Sequence, residues 1–172
     1  MRYLGLVALA ALAGCGSGGE NETKAAAPDT IPAGQYEVTA ETTQFSQADE
    51  GEAALNMAVG TREVRSVCIG DTASPDLFAA EGMTCRQGSS DYIRSGTISS
   101  TYSCTVEGRE GGAALTISGT FTAVGFQATR NLRTTFEGPG DVTAAANLTG
   151  RRTGDCTPGA DAGNSAAPAN SN

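Results

Sequence analysis

The chain has 172 residues, enough for one domain, and 11 basic against 19 acidic side chains give it a formal charge of −8. That balance argues against phosphate-tracking nucleic-acid binding and against attraction to anionic lipid head groups, both of which need a basic surface. The absence of His removes Ser-His-Asp and Cys-His catalysis and His-ligated zinc or haem, while 5% aromatics, no Trp and 23 Gly imply a lean core that needs cross-links.

Residues 1–14 read as a signal peptide. Arg2 supplies a short positive region, and the apolar run from Leu4 to Leu12 is too short to span a bilayer. The run ends Leu12-Ala13-Gly14-Cys15, which resembles the lipobox of bacterial lipoproteins. The resemblance implies cleavage before Cys15 and lipid attachment, palmitate included, at that thiol. Several buried acyl chains would then hold the protein to the membrane. Residues 15–33 are small and polar, beginning Gly16-Ser17-Gly18-Gly19, and are expected to be a flexible tether reaching about 25 Å. Gly rather than Asp at position 16 is similar to the enterobacterial pattern for outer-membrane delivery.

From residue 34 to 156 the pattern is period-two. Tyr36, Val38 and Ala40 alternate with charged and hydroxyl residues, as do Ala113, Leu115, Ile117, Gly119, Phe121 and Ala123. Phe126, Ala128, Leu132 and Phe136 share a parity, and so do Val142, Ala144, Ala146 and Leu148. Turn signals fall at Ser95-Gly96, Gly108 to Gly112, near Gly125, and at Gly138-Pro139-Gly140. The expected fold class is therefore mainly all-β: an antiparallel up-and-down meander of about seven strands, as a curled sheet or small barrel. A two-sheet sandwich is the alternative. Ser74-Pro75-Asp76 offers a helix N-cap, first-turn Pro and favourable charge, so Leu77 to Ala80 is expected to form a turn or two of helix. Gln47 to Glu52 reads as an acidic loop, and Ala53 to Val59 as helix or strand. Residues 157–172, rich in Pro, Gly, Ala, Ser and Asn, read as a disordered tail.

Apart from Cys15, four cysteines remain: Cys68, Cys85, Cys104 and Cys156. An even count in an exported chain reads as two disulfides, with three pairings open. Parity and loop position favour Cys68–Cys85 with Cys104–Cys156. Sixteen residues separate even the nearest two, which fits neither zinc ligation nor a C-x-x-C redox motif.

The order of these features resembles a family of small bacterial envelope proteins, domain of unknown function 3617. Ala33-Gly34-Gln35-Tyr36-Glu37-Val38 is similar to its "pG.W.v" opening, with Tyr36 where Trp is usual. Cysteines follow at Val67-Cys68-Ile69, at Thr84-Cys85-Arg86 and after the Gly96-led stretch at Cys104. Gly150-Arg151-Arg152-Thr153-Gly154-Asp155-Cys156 is similar to the closing "G.R.G.C" segment. The family's Met-rich stretch is reduced here. The resemblance implies a periplasm-facing domain with paired cysteines and implies no activity.

Chemistry is otherwise sparse. Asp49, Glu50 and Glu52 lack the ligand spacing of a calcium loop and read as a solvated turn. Arg151 and Arg152 sit in an alternating strand, so Arg152 is expected to face inward and need a carboxylate or carbonyl partner, as a structural or anion contact. No nucleophile elbow, P-loop or dinucleotide fingerprint occurs, and the one Lys is Lys24 in the tether. The expectation is a non-enzymatic, monomeric envelope lipoprotein without cofactor or metal. Its expected partners are the membrane, through the anchor, and an envelope protein. The alternative is a small hydrophobic-ligand carrier, because Ala113, Gly119, Ala123, Ala128, Ala144 and Ala146 leave room inside a curled sheet.

Overall fold

The computed structural model of the protein describes residues 27–50, 52–53, 55, 57–70, 73–156 and 165–166. Within them run seven long strands: β1 (Gly34–Gln47), β2 (Arg62–Ile69), β3 (Met83–Arg94), β4 (Thr97–Val106), β5 (Gly111–Thr122), β6 (Gly125–Phe136) and β7 (Val142–Gly154). The alternation in the sequence is the alternation of burial. In β4, Ile98, Ser100, Tyr102, Cys104 and Val106 point into the core and their neighbours point out.

All pairings are antiparallel, and four hairpins join β3 to β7 in order. Their turns fall where the Gly-rich signals placed them. Ser95 and Gly96 both take positive φ, 50° and 79°, the type I′ geometry that matches strand twist. β7 then pairs with β1, and β1 with β2. So β2 and β3, consecutive in the chain, lie on opposite sides of the meander, in the order β3-β4-β5-β6-β7-β1-β2. The sheet does not close: among the described residues no ladder joins β2 to β3. The connection between them crosses this seam.

That connection carries one 3-10 turn, Pro75–Leu77, with Ser74 as its N-cap accepting from the Asp76 amide at 3.3 Å. The expected helix is thus shorter than a turn or two of α-helix. The sheet curls around it. Phe78 stacks on Tyr102 of β4, ring centroids 5.9 Å apart, while the Leu77 carbonyl accepts from Arg65 of β2 at 3.0 Å. In a flat sheet those two strands lie five spacings, about 24 Å, apart. Leu77 and Phe78 are fully buried in the same cluster as Tyr36, Leu115, Phe126 and Leu132.

Several local expectations are corrected. Ala123 sits in the exposed two-residue turn between β5 and β6, not on the inner face. Ile31, inside the stretch expected as tether, is buried in the core, and Pro32 offers its carbonyl to the Tyr36 hydroxyl at 2.8 Å. β1 runs on to Gln47, and the described residues of 52–59 form neither helix nor strand. A bulge between Thr42 and Gln44 switches the parity of β1, so Phe45 faces inward opposite Ala144. Ser165 and Ala166, expected in the tail, pair with Ser66 and Arg65 along the open edge of β2 as a two-residue strand, β8.

The favoured disulfide pairing is also overturned. The bonds are Cys68–Cys156 and Cys85–Cys104. Cys85 and Cys104 are direct cross-strand partners in the β3–β4 hairpin. Counting back from the Ser95-Gly96 turn without irregularity would set Cys104 opposite Gln87. A register shift between Gln87 and Asp91 moves the pairing by two residues, and that shift leaves no mark in the alternation. Cys68 and Cys156 meet at the other margin, across the start of β1, with Cα atoms 5.6 Å apart. Non-reducing peptide mapping should return these two pairs. In the chain-entropy model the 88- and 19-residue separations contribute roughly 4–5 and 3 kcal/mol. Full reduction should therefore lower the melting temperature by at least about 10 °C; an unchanged midpoint would refute their structural role.

Candidate functional site

The interior of the curl holds two arginines. Arg65 alternates inward with Val67 and Ile69 on β2, and Arg130 sits between Ala128 and Leu132 on the inner face of β6. Relative exposures of 6% and 2% put both in the core. Arg130 has Ala146 opposite it on β7, and that small neighbour gives its long side chain room. The space expected from the small inner residues is thus filled, by Arg130 and by the 3-10 segment.

Both guanidiniums point at that segment. Arg65 donates to the Asp76 carbonyl (2.5 Å) and the Leu77 carbonyl (3.0 Å). Arg130 donates to the Phe78 carbonyl (3.2 Å) and the Ala79 carbonyl (2.9 Å). Four consecutive carbonyls at the end of a 3-10 turn, which lack helical partners, are thereby satisfied. Glu63 Oε1 lies 3.4 Å from Arg65 Nε. Burial lowers the Arg65 pKa, with Glu63 and Asp76 opposing the shift. Burial likewise brings Arg130 down to about 10, with Glu63 pulling up and Arg65 pushing further down. Arg130 is still a cation at neutral pH.

Not every polar atom here is used. Glu63 Oε1, Arg65 Nε, Arg130 Nε and the Tyr102 hydroxyl are buried without a hydrogen bond. The neighbouring Ser100 hydroxyl donates to Asp91 Oδ1 at 2.7 Å instead. Such orphans are uncommon in a folded core. Chemically, the site is a donor-rich pair of cations inside an apolar shell, occupied by main-chain carbonyl oxygens.

The other candidates serve the framework. Arg152 does face partly inward and finds the partners its position demanded: Nε donates to the Ala33 carbonyl at 2.9 Å and Nη2 pairs with Asp155 at 2.6 Å. Its guanidinium fills the space over Gly34, whose φ of 144° and missing side chain let β1 begin there. Arg151 pairs with Glu37 at 3.6 Å on the exposed face, a weak contact. Asp49 is more than a solvated turn residue: its carboxylate accepts from the Gly140 amide (2.9 Å) and the Asp141 amide (3.1 Å), pinning the β6–β7 turn. Among the described residues no three His, Cys, Asp or Glu come together as a metal site. A hollow of about 250 Å³ beside the β1 bulge is lined by Gln44, Phe45, Ser46, Asn131 and Thr143 with flanking Ala, without a charged group to orient a ligand. Cys15 and Lys24 lie outside the described residues.

Comparison with known protein families returns one described as protein of unknown function (DUF3617), matching residues 31–156. The chain belongs to this family. No curated protein and no solved structure matches it. The stretches that resemble the DUF3617 pattern all have structural roles in this chain. Gly34 accommodates Arg152, Tyr36 is fully buried, and the cysteines form the two disulfides. Gly150 lies under the Phe126 ring, which a side chain at 150 would displace. Arg65, Arg130 and Glu63 belong to none of those stretches and were missed in the sequence. The available signal was parity: both arginines fall at inward positions of apolar strands.

Two outcomes follow from this geometry. Arg130→Met removes a donor from the Phe78 and Ala79 carbonyls, a cost of about 1–3 kcal/mol. Amide exchange in residues 76–82 should speed up more than in β5–β7; unchanged protection there would show that Arg130 does not hold the segment. Tyr102→Phe deletes a buried hydroxyl whose polar neighbour, the Ser100 hydroxyl, is committed to Asp91, and should raise stability by about 1 kcal/mol at pH 7. Burial pushes the Tyr102 pKa up to about 12, against about 10 when unfolded. Ionisation of the unfolded phenol therefore begins to cost stability near pH 10, and the loss grows until the pH passes 12. Arg130 acts with the opposite sign over that range but is common to both proteins. Urea melts from pH 7 to 11.5 should give the Phe variant the shallower alkaline loss, and a steeper one would contradict the burial of this phenol.

Proposed function

We propose that this is a lipid-anchored envelope protein whose β domain faces the periplasm and works as a non-enzymatic binding or scaffold module. The observation that carries the reading is the division of the five cysteines. Four are paired in two disulfides, and the fifth, Cys15, ends a sequence similar to a lipobox. Disulfides belong to oxidising compartments, and a leftover cysteine at a signal cleavage position has lipidation as its chemistry. The Gly-rich segment after Cys15 supplies reach, and Gly16 favours the outer membrane. The acidic balance suits a soluble domain held off an anionic surface. The lack of His and the single Lys at Lys24 weigh against an enzyme.

A second reading, a carrier of a small hydrophobic ligand, is favoured by one feature. The inner face of the sheet wraps around two apolar side chains, Leu77 and Phe78, that come from a connection rather than from a strand.

Intact mass of the membrane-extracted protein, before and after reduction, tests the first reading. The expected result is a triacyl increment on a chain beginning at Cys15, with four protons gained on reduction. An unmodified chain in the soluble fraction would replace it with a plain secreted β domain.

A further inference from the structure

The space inside the curl is filled by the chain itself, and the manner of filling describes what can replace it. The segment from Ala73 to Gly82 presents two apolar side chains, Leu77 and Phe78, headed by four carbonyl oxygens set on two guanidiniums. A carbonyl carries only partial charge. Arg65 has Glu63 at 3.4 Å, but among the described residues Arg130 has no carboxylate within 4.0 Å. The Asp76 carboxylate is engaged by the Ser74 hydroxyl at 2.9 Å. Arg130 Nε and the Tyr102 hydroxyl are buried without a hydrogen bond, and Arg65 Nε has only the ion pair with Glu63. The interior therefore holds two cations, with Glu63 and Asp76 both neighbouring Arg65, and spare donors on the Arg130 side. A carboxylate, with about four acceptor sites, satisfies two guanidiniums better than main-chain carbonyls do.

The segment is held by the arginine contacts, by the Gly82 carbonyl, which accepts from the Glu107 amide at 3.1 Å, and by the burial of Leu77 and Phe78, while its two flanks are tied down separately. Cys68 before it is tied to Cys156, and Cys85 after it to Cys104, so each end is fixed to its own side of the sheet, and among the described residues no ladder or disulfide joins β2 to β3. Gly70 and Gly82 stand at its ends with open space around them, Gly82 at a φ of 75°. We propose that residues 73–82 are the displaceable occupant of a binding site for a single-chain anionic amphiphile, a long-chain carboxylate. Its head group takes Arg65 and Arg130 from the 76–79 carbonyls, and its chain takes the place of Leu77 and Phe78 against Tyr102 and Phe126. This rests on the ligand-carrying reading above and gives it a ligand class and residues.

The test titrates the mature lipidated protein, in alkyl maltoside micelles, with sodium oleate and with oleyl alcohol, the same chain without a charge. Bound adducts are counted by native mass measurement. One oleate per chain is expected, with oleyl alcohol at least about tenfold weaker, the scale of one charge-assisted hydrogen bond. Arg130→Met loosens the occupant for both ligands, so it should weaken oleate by at least about tenfold relative to oleyl alcohol. Phe78→Ala, which loosens the occupant, should tighten oleate because apparent affinity rises with the open fraction. If Arg130→Met does not fold, the alcohol comparison and Phe78→Ala decide the matter alone. Equal binding of oleate and oleyl alcohol overturns the anion site while the carrier reading stands. No adduct on the wild type or on Phe78→Ala overturns both. The same spectra report the mass at Cys15, so loss of the anchor is read separately from loss of binding.

Discussion

Two guanidiniums inside a curled sheet, answered by four successive carbonyl oxygens, decide where the connection between β2 and β3 lies. Without them the segment would have to bury the carbonyls of Asp76 to Ala79 without donors, at about 1–3 kcal/mol each. With them, a 3-10 turn can sit in the core and bring Leu77 and Phe78 with it. The arginines in turn tolerate burial because the inner face around Arg130 is small, with Ala146 directly opposite. A meander of seven strands that fails to close at one seam thus acquires its missing wall from a loop. The curl of the sheet, the order of the strands and the contents of the core are consistent with that one arrangement.

The lean composition makes the remaining supports matter more. The core mixes branched aliphatics with many alanines and a few aromatics, of which Tyr36, Phe78, Tyr102 and Phe126 form a contiguous chain of ring contacts. Small side chains remove little area from water, so each aromatic carries a large share of the burial. Gly150 shows the complementary strategy: its missing side chain is the seat of the Phe126 ring. At the domain margins, Arg152 over Gly34 and Asp49 under the β6–β7 turn fasten main chain with charge-assisted hydrogen bonds.

Much of this was legible in the residues themselves. Alternation marked the strands because one face is wet and the other dry, and the Gly-rich pairs marked hairpin turns because only certain residues take positive φ. Ser74 announced its own cap. The rest was hidden for physical reasons. The two-residue shift in β3 and the bulge in β1 change which residues face each other without changing composition, so parity misassigned the cysteine partners and hid Phe45. The β7–β1 pairing is a long-range contact with no local mark. Arg65 and Arg130 stood at inward parity in plain view, yet a charge in a strand is ordinarily taken as a surface residue, and only the carbonyls of a distant loop make its burial tolerable.

The division of the disulfides has a consequence in time as well as in space. Of the four cysteines that pair, a chain entering an oxidising compartment N-terminus first delivers Cys68, then Cys85, then Cys104, and Cys156 last. The first two thiols to coexist are not native partners, while the β3–β4 hairpin that aligns Cys85 with Cys104 is still incomplete. Oxidation by order of arrival therefore starts with the wrong bond, across the very segment that must later fold inward. Reaching the native pairs requires either that oxidation wait for the hairpin or that a thiolate reopen the early bond, an exchange that runs over seconds to hours without assistance. For a chain received into such a compartment, maturation of this small domain would be coupled to its thiol-exchange capacity.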